Sequence, residues 1–363
     1  MIIMYLLFSF SVGGTERLVT DICNEMVNRE NEIHLYIVND HISNDLLSTL
    51  DKRVVVQLQG REKGKGDKLS TLFKISNYVT KNRIDVIHCN SLNAPDLLYV
   101  SRLINPRTKI IYTVHGLNQY RTLGKLKIAA RNWMCKSIIG ISNAVTADLI
   151  TNGADKGKTI CVYNGIQPSK YMISKNKIFD KSKIIIGCLA RIMPSLKGQD
   201  VLIKAIPSLI EDYPNVKVVF AGGVADDQKQ SYNELISYIE NNDINDNVDF
   251  VGTINNVSDF LQSIDVCVIP SRQEGFGLTL IEAMSTGVPC IASDVGGLAE
   301  LVRQEGVGIL FEPGNSNSLA DKIKNVIESF DQYKQKAIEN KDRILKKYSI
   351  DKMCDSLMTV YKR

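Results

Sequence analysis

Apolar runs of strand length alternate with helix-length amphipathic stretches along the whole chain. In the first half the uninterrupted apolar runs predict strands at Ile2–Ser9, Glu32–Val38, Val54–Leu58, Asp85–Cys89, Lys109–His115, Ser137–Ile141 and Thr159–Tyr163. Segments of helical period between them predict helices at, for example, Thr15–Arg29, Leu69–Lys81 and Asn143–Thr151. Strands that are apolar on both faces and separated by helices indicate a parallel sheet covered on both sides. The pattern then restarts, with strands at Ile184–Ala190, Val216–Ala221, Val248–Val251, Asp265–Pro270, Cys290–Ser293 and Gly308–Phe311. Helices at Gln199–Glu211 and Leu278–Ser285 fall between them. The polar, basic stretch QPSKYMISKNKIFDKSK, near 167–182, reads as a linker. The expectation is an α/β protein of two doubly wound domains, with ligands at the carboxyl ends of the strands.

Composition changes this picture little. The chain has 363 residues, 44% hydrophobic and 23% charged, which excludes a disordered chain and a disulfide-stapled miniprotein. None of the eight cysteines forms a C-x-x-C pair, and Cys161, Cys188 and Cys267 sit in apolar runs. That usage suits buried free thiols in a reducing compartment. A zinc site would need several clustered Cys or His, and with only four histidines there is no such cluster, so no zinc site is expected. MIIMYLLFSF lacks a basic n-region and a small-residue cleavage site, and a glycine turn follows it at once. It therefore reads as a buried first strand rather than a signal peptide. No stretch reaches the ~18 uncharged apolar residues of a membrane span.

Charge is segregated by half. Residues 1–170 hold 22 Lys/Arg against 14 Asp/Glu, a net +8, while residues 171–363 carry −4. The segment Arg121–Lys136 concentrates Arg121, Lys125, Lys127, Arg131 and Lys136, interleaved with Leu123, Leu126, Ile128, Trp133 and Met134. It predicts a basic amphipathic helix that could lie on an anionic membrane surface, or pack its apolar side on the core. The loop GREKGKGDK, 60–68, is basic and glycine-rich. No nucleic-acid recognition module is visible, so nucleic acid is not an expected partner.

Four constellations carry candidate chemistry. In LARIMPSLKGQD, Arg191 follows a predicted strand and Lys197 sits in the loop before a helix, a pair of cations at an anion-binding turn. In PSRQEGFGLTLIEAM, a strand ends at Pro270, and Glu274, Gly275, Phe276 and Gly277 lead into a helix at Leu278 and Thr279. The glycines admit close backbone approach, the helix start offers N–H donors, and Glu282 lies about one turn further on. Gly13 and Gly14 form a strand-to-helix turn that is neither a P-loop nor a dinucleotide fingerprint. His115 ends a strand where ligands bind and precedes a glycine, with His88 a weaker companion.

Taken together, these motifs resemble the retaining nucleotide-sugar glycosyltransferases of GT-B fold, glycosyltransferase family four, of the type called glycosyl transferases group 1. The resemblance rests on the glutamate–seven residues–glutamate motif EGFGLTLIE, with SVGGTER, TVHG, ISNAV, VYNGI, ARIMPSLKGQD and SDVGGLAELV in order along nearly the whole chain. It implies two Rossmann-like domains facing across a cleft. Residues 1–172 would form the acceptor domain, with a C-terminal helix at 349–363 packing back on it, and residues 178–348 the donor domain. Arg191 and Lys197 would neutralise the donor diphosphate, helped by the N–H groups of Leu278 and Thr279. Glu282 would hold the ribose, and Thr253 would line the base. Glu274, with the backbone of Gly275, Phe276 and Gly277, would hold the donor sugar. His115 would reach that sugar from the first domain, and Gly14 would sit under the diphosphate or acceptor.

The resemblance further implies a metal-independent hexosyltransferase without cofactor, taking a nucleotide-sugar co-substrate, most readily UDP-linked. The chain has no D-x-D triplet, and Lys and Arg would stand in the metal's place. The acceptor would be a glycan or lipid-diphosphate-linked oligosaccharide of a bacterial O-antigen, capsule or exopolysaccharide. The protein would be cytoplasmic, peripheral at the inner face of the cytoplasmic membrane. The alternatives are a catalytically silent nucleotide-sugar-binding protein or a nucleotide-sugar epimerase of the same fold.

Overall fold

The structure is a computed structural model that describes residues 1–11, 13–62, 68–171 and 178–363. The chain divides into two compact units, one of Met1–Ile166 with Ser349–Arg363 and the other of Gln167–Tyr348. Residues 63–67 of the basic glycine-rich loop, and 172–177 of the linker stretch, lie outside the described residues.

The first unit is built on seven parallel strands: β1 (Ile2–Leu7), β2 (Glu32–Asn39), β3 (Val55–Arg61), β4 (Val86–Cys89), β5 (Lys109–Val114), β6 (Ser137–Gly140) and β7 (Thr159–Cys161). Their order in the sheet is β3-β2-β1-β4-β5-β6-β7. β1 is thus central and buried, as its unbroken apolar run predicts, and pairs with β2 and β4. The expected helix at 143–151 begins on Ser142, whose side chain accepts from the Val145 N–H at 3.0 Å.

The last helix, Ile350–Lys362, belongs to this unit. Met353, Cys354, Leu357, Val360 and Tyr361 pack into the same core as Ile3, Tyr5, Cys23 and Met26. Gly165 of VYNGI makes room for it, because a Cβ there would lie 2.6 Å from the Ser349 carbonyl oxygen. Arg29 ties the helix down from outside through Asp355 at 2.8 Å and through Asp351.

The second unit has six parallel strands: β8 (Ile185–Leu189), β9 (Lys217–Ala221), β10 (Val248–Gly252), β11 (Val266–Ile269), β12 (Cys290–Ser293) and β13 (Ile309–Phe311). Their order is β10-β9-β8-β11-β12-β13. The direction of strand addition reverses between β8 and β11, so a crevice opens at their carboxyl ends. Ile186, Cys188, Val218, Phe220, Val266, Val268 and Ile291 form the sheet's share of the core.

Two expectations are corrected here. The stretch Arg121–Lys136 is not one helix, since Arg121 lies in a 3₁₀ turn and only Lys125–Met134 is helical. Arg131, expected among the cations facing a membrane, is wholly buried. Its Nη2 donates to Asp96 at 3.3 Å, and its guanidinium lies 5.3 Å and 5.8 Å from the ring centroids of Tyr112 and Tyr120. A buried cation needs a carboxylate or a π face, and here it has both. All eight cysteines are free, and seven are buried, but Cys161 is only half-buried at the end of β7.

Candidate active site

The second unit gathers most of the candidate residues at the carboxyl ends of β8 and β11. β8 delivers Arg191 to an exposed position two residues beyond its end. The chain then makes a single helical turn, Pro194–Lys197, so Lys197 closes a helical turn rather than lying in an open loop. Gly198 follows at φ 68°, and a Cβ there would collide with the Pro270 carbonyl oxygen. Only glycine lets this turn rest on the end of β11.

Lys197 Nζ meets Glu274 Oε2 at 2.6 Å, both side chains about a fifth to a quarter exposed. The loop Glu274–Gly277 leads into the helix Leu278–Ser285. Gly277 is the N-cap at φ 102°, and Leu280 and Ile281 donate to its carbonyl. The N–H groups of Leu278 and Thr279 precede those first intrahelical bonds and form the positive end of the helix dipole. Thr279 Oγ1 donates to the Leu189 carbonyl at 3.3 Å, which fixes the helix start against β8. Phe276 is buried, its ring 5.9 Å from that of Tyr348, so the loop offers its backbone rather than this side chain. Gly275 and Gly277 are buried with it.

Glu282 accepts from the Tyr171 hydroxyl at 2.7 Å. Thr253 is exposed, one residue past β10, and its Oγ1 would lie 2.7 Å from a Cβ on Gly223. Gly223 in turn accepts from Ile192 N–H at 3.0 Å, so Thr253 belongs to the same rim as Arg191.

Four supporting residues are not evident from sequence. Gln199 is wholly buried, donates to the Arg191 carbonyl at 2.9 Å and accepts from Met193 N–H at 3.4 Å. Arg272 holds the Lys197 turn by donating to the Pro194 carbonyl at 2.7 Å and to both Asp200 oxygens at 2.6 and 2.7 Å. Gly297 lies under the Glu274–Gly277 loop, donating its N–H to the Glu274 carbonyl at 3.0 Å. Tyr171 stands in the stretch expected to be a linker, and its pairing with Glu282 has no local sequence signal. The doublet in SDVGGLAELV is the one visible hint of the tight packing at Gly297.

His115, Gly13 and Gly14 lie in the first unit. His115 follows β5, and its Nε2 donates to Asn90 Oδ1 at 3.2 Å, leaving Nδ1 as an acceptor. Burial lowers its pKa to about 4, so the imidazole is neutral at pH 7. Gly13 caps the helix Gly14–Asn28 in an extended conformation, and a Cβ on Gly14 would meet nothing within 4 Å. His88 has a structural place, bonded to Tyr361 Oη at 2.6 Å and Thr113 Oγ1 at 2.7 Å and pushed down by burial to a pKa of about 3. Arg121, Lys125, Lys127 and Trp133 are exposed, with Lys127 Nζ 3.2 Å from Asp96. Leu126 and Trp133 are the outward apolar residues of the Lys125–Met134 helix. No helix among the described residues is long and apolar enough to cross a membrane.

Two family models match. Residues 12–170 match Glycosyltransferase Family 4, and residues 170–343 match Glycosyl transferases group 1. The lipopolysaccharide core biosynthesis mannosyltransferase LpsB of Rhizobium meliloti is 26% identical over 268 residues, 71% of this chain and 73% of that protein. The N-acetyl-α-D-glucosaminyl L-malate synthase of Bacillus anthracis is 24% identical over 374 residues, 97% of this chain and 94% of that protein. Other relatives are named for capsular polysaccharide and O-antigen biosynthesis. Among solved structures, Anabaena HepE in complex with UDP and glucose superposes with a TM-score of 0.85 at 22% identity, covering 100% of this chain and 99% of that one. The two models leave only the first eleven and last twenty residues unmatched, and with paired parallel-sheet units the chain belongs to the GT-B glycosyltransferases of the family 4 and group 1 type.

Proposed function

We propose that the second unit binds a nucleoside-diphosphate sugar, with UDP the base-bearing half, and that the chain transfers the sugar with retention of anomeric configuration and without a metal ion. The acceptor in this reading is a lipid-diphosphate-linked glycan of a bacterial surface polysaccharide. The observation that carries the donor half is the Lys197–Glu274 pair at 2.6 Å, set beside Arg191 and the first N–H groups of the Leu278–Ser285 helix. Cations and oriented N–H groups at one strand-end crevice suit a diphosphate that gains charge as it leaves. Glu274 and the Phe276–Gly277 backbone would hold the sugar hydroxyls, and Glu282 with Tyr171 would hold the ribose.

In the transfer step the bond from the anomeric carbon to the phosphate oxygen breaks and the bond to the acceptor oxygen forms on the same face. The acceptor's proton passes to the leaving phosphate. The relatives acting in lipopolysaccharide, capsule and O-antigen synthesis support the acceptor class, and the HepE complex supports UDP. The exposed Leu126, flanked by Lys125 and Lys127, and the exposed Trp133 support docking on an anionic membrane surface.

A thermal-shift panel of nucleotides and nucleotide-sugars in EDTA tests the donor reading. A ligand at a hundred times its Kd stabilises by about 2.7 kcal/mol. A selective shift with UDP and one UDP-sugar is expected, and no shift with any nucleotide overturns it. The anomeric configuration of the product, read by NMR, tests retention. Co-sedimentation that is equal for phosphatidylglycerol and phosphatidylcholine vesicles would remove the membrane half.

A further inference from the structure

The first unit holds cations that the donor chemistry does not use. At the carboxyl ends of β1, β3 and β4 lies a cavity of about 340 Å³. Arg61, Lys68 and Lys127 line it together with Phe8, Asn93 and Asp96. The one carboxylate is already engaged twice, by Lys127 at 3.2 Å and by the buried Arg131 at 3.3 Å. With Arg131 counted, Asp96 answers one positive charge and the cavity keeps the excess.

Arg61 is held in place before any ligand arrives. Its Nε donates to Asn39 Oδ1 at 3.1 Å, and its guanidinium lies 5.7 Å from the Phe8 ring centroid. Its two Nη groups carry no bond to any described residue. A guanidinium fixed by one edge and open on the other suits two-pronged capture of an oxyanion. Lys68 is the first residue of the helix Lys68–Lys81, so its charge and the positive end of the helix dipole reinforce one another. The volume lies at the low end for ligand pockets, enough for a diphosphate or a small dicarboxylic acid and too little for a nucleotide-sugar.

We propose that this cavity binds an oxyanion group, and, resting on the transferase reading above, that the group is carried by the acceptor. Arg61 supplies the fork, Lys68 and Lys127 supply point charges, and Asp96 with Arg131 holds Lys127 in position. The same chemistry would recognise the diphosphate of a lipid-linked acceptor or the carboxylates of a soluble acid.

The test is calorimetric titration of the full chain, saturated with UDP to block the donor crevice, with inorganic pyrophosphate, farnesyl diphosphate and L-malate as probes. Pyrophosphate is expected to bind, and the Arg61→Gln/Lys68→Gln double variant to weaken it at least tenfold. The variant's affinity for UDP, measured in the same series, stays within twofold of the parent. Arg61→Lys, which keeps the charge and loses the fork, should fall between. Farnesyl diphosphate binding tighter than pyrophosphate supports the pocket and assigns it to a lipid-linked acceptor. Malate binding tighter supports it and assigns it to a soluble acid. Unchanged pyrophosphate affinity in the double variant, or no pyrophosphate binding by the parent, overturns the proposal. If UDP fails to bind while pyrophosphate still depends on Arg61 and Lys68, the donor reading falls and the cavity's chemistry stands.

Discussion

Gly297→Ala should disable the donor crevice from a position that touches no ligand in the proposed mechanism. A Cβ built on Gly297 lies 2.5 Å from the Gly275 carbonyl oxygen, 2.5 Å from Phe276 Cα and 2.7 Å from the Gly275 carbonyl carbon. All three are backbone atoms, so no rotamer change relieves the contact. Carbon contacts rest at about 3.5 Å, so the Glu274–Gly277 loop must retreat by about 1 Å. Overpacking of this kind costs about 1–3 kcal/mol. Replacing glycine by alanine inside a helix returns about 1 kcal/mol. The net loss of about 0–2 kcal/mol lowers Tm by a few degrees in a unit of this size. The functional loss should be much larger, because a misplacement of about 1 Å can cost about 10²-fold in rate. In the proposed reaction UDP release measures the rate, and calorimetry confirms that the variant is folded. Gly124→Ala is the matched control, with φ −69° at that position and nothing within 4 Å of its Cβ. A Gly297→Ala enzyme with parental rate and parental Tm would refute the reasoning, since the loop would then be shown to tolerate the intrusion.

Three further predictions follow from other parts of the molecule. Lys197→Ala and Glu274→Ala should each lower transfer by at least ~10²-fold while the protein stays folded, and near-parental rates for both would sink the site assignment. Arg131→Ala leaves Asp96 buried with Lys127 alone and opens a gap between Tyr112 and Tyr120. A loss of about 3 kcal/mol is expected, read as the urea midpoint, and a change below the experimental scatter would contradict it. Acid should destabilise the first unit, because native His88 stays neutral down to about pH 3 whereas the unfolded chain takes up that proton below about pH 6.5. Between those limits stability falls with pH at up to about 1.4 kcal/mol per unit. A Tm that is flat from pH 7 to pH 5 would refute it.

The elements most legible in the sequence are those set by local chemistry. Cys290–Ser293 and Leu278–Ser285 fall where expected, because glycine, proline and the change from an unbroken apolar run to helical period bracket them. Most other boundaries move by one or two residues, at fraying ends. The placement of Arg191 and Glu274 after strand ends is also legible, whereas the helical turn that carries Lys197 is not. What sequence could not supply were pairings across long separations. Arg131 reads as a surface cation because its partners Asp96, Tyr112 and Tyr120 lie on other elements. Its spacing of four from Lys127 and three from the buried Met134 was the available clue. Gln199, Arg272 and Tyr171 were invisible for the same reason, as each acts on a backbone or carboxylate defined only once the sheet has formed.

The helix Ile350–Lys362 has a consequence for how the molecule comes into being. Tyr5 Oη and Tyr361 Oη meet at 3.1 Å across a separation of 356 residues, and Tyr361 also closes the hydrogen bond to His88. β1 is therefore made about 340 residues before the helix that completes the core around it. At about 5–20 residues per second of synthesis, that core waits tens of seconds with an open face. The second unit, continuous from Gln167 to Tyr348, has its whole sequence before the first does. A nonsense codon or a protease cut near residue 349 would thus strike the amino-terminal half, leaving Ile3, Cys23 and Met26 uncovered and the chain prone to aggregation.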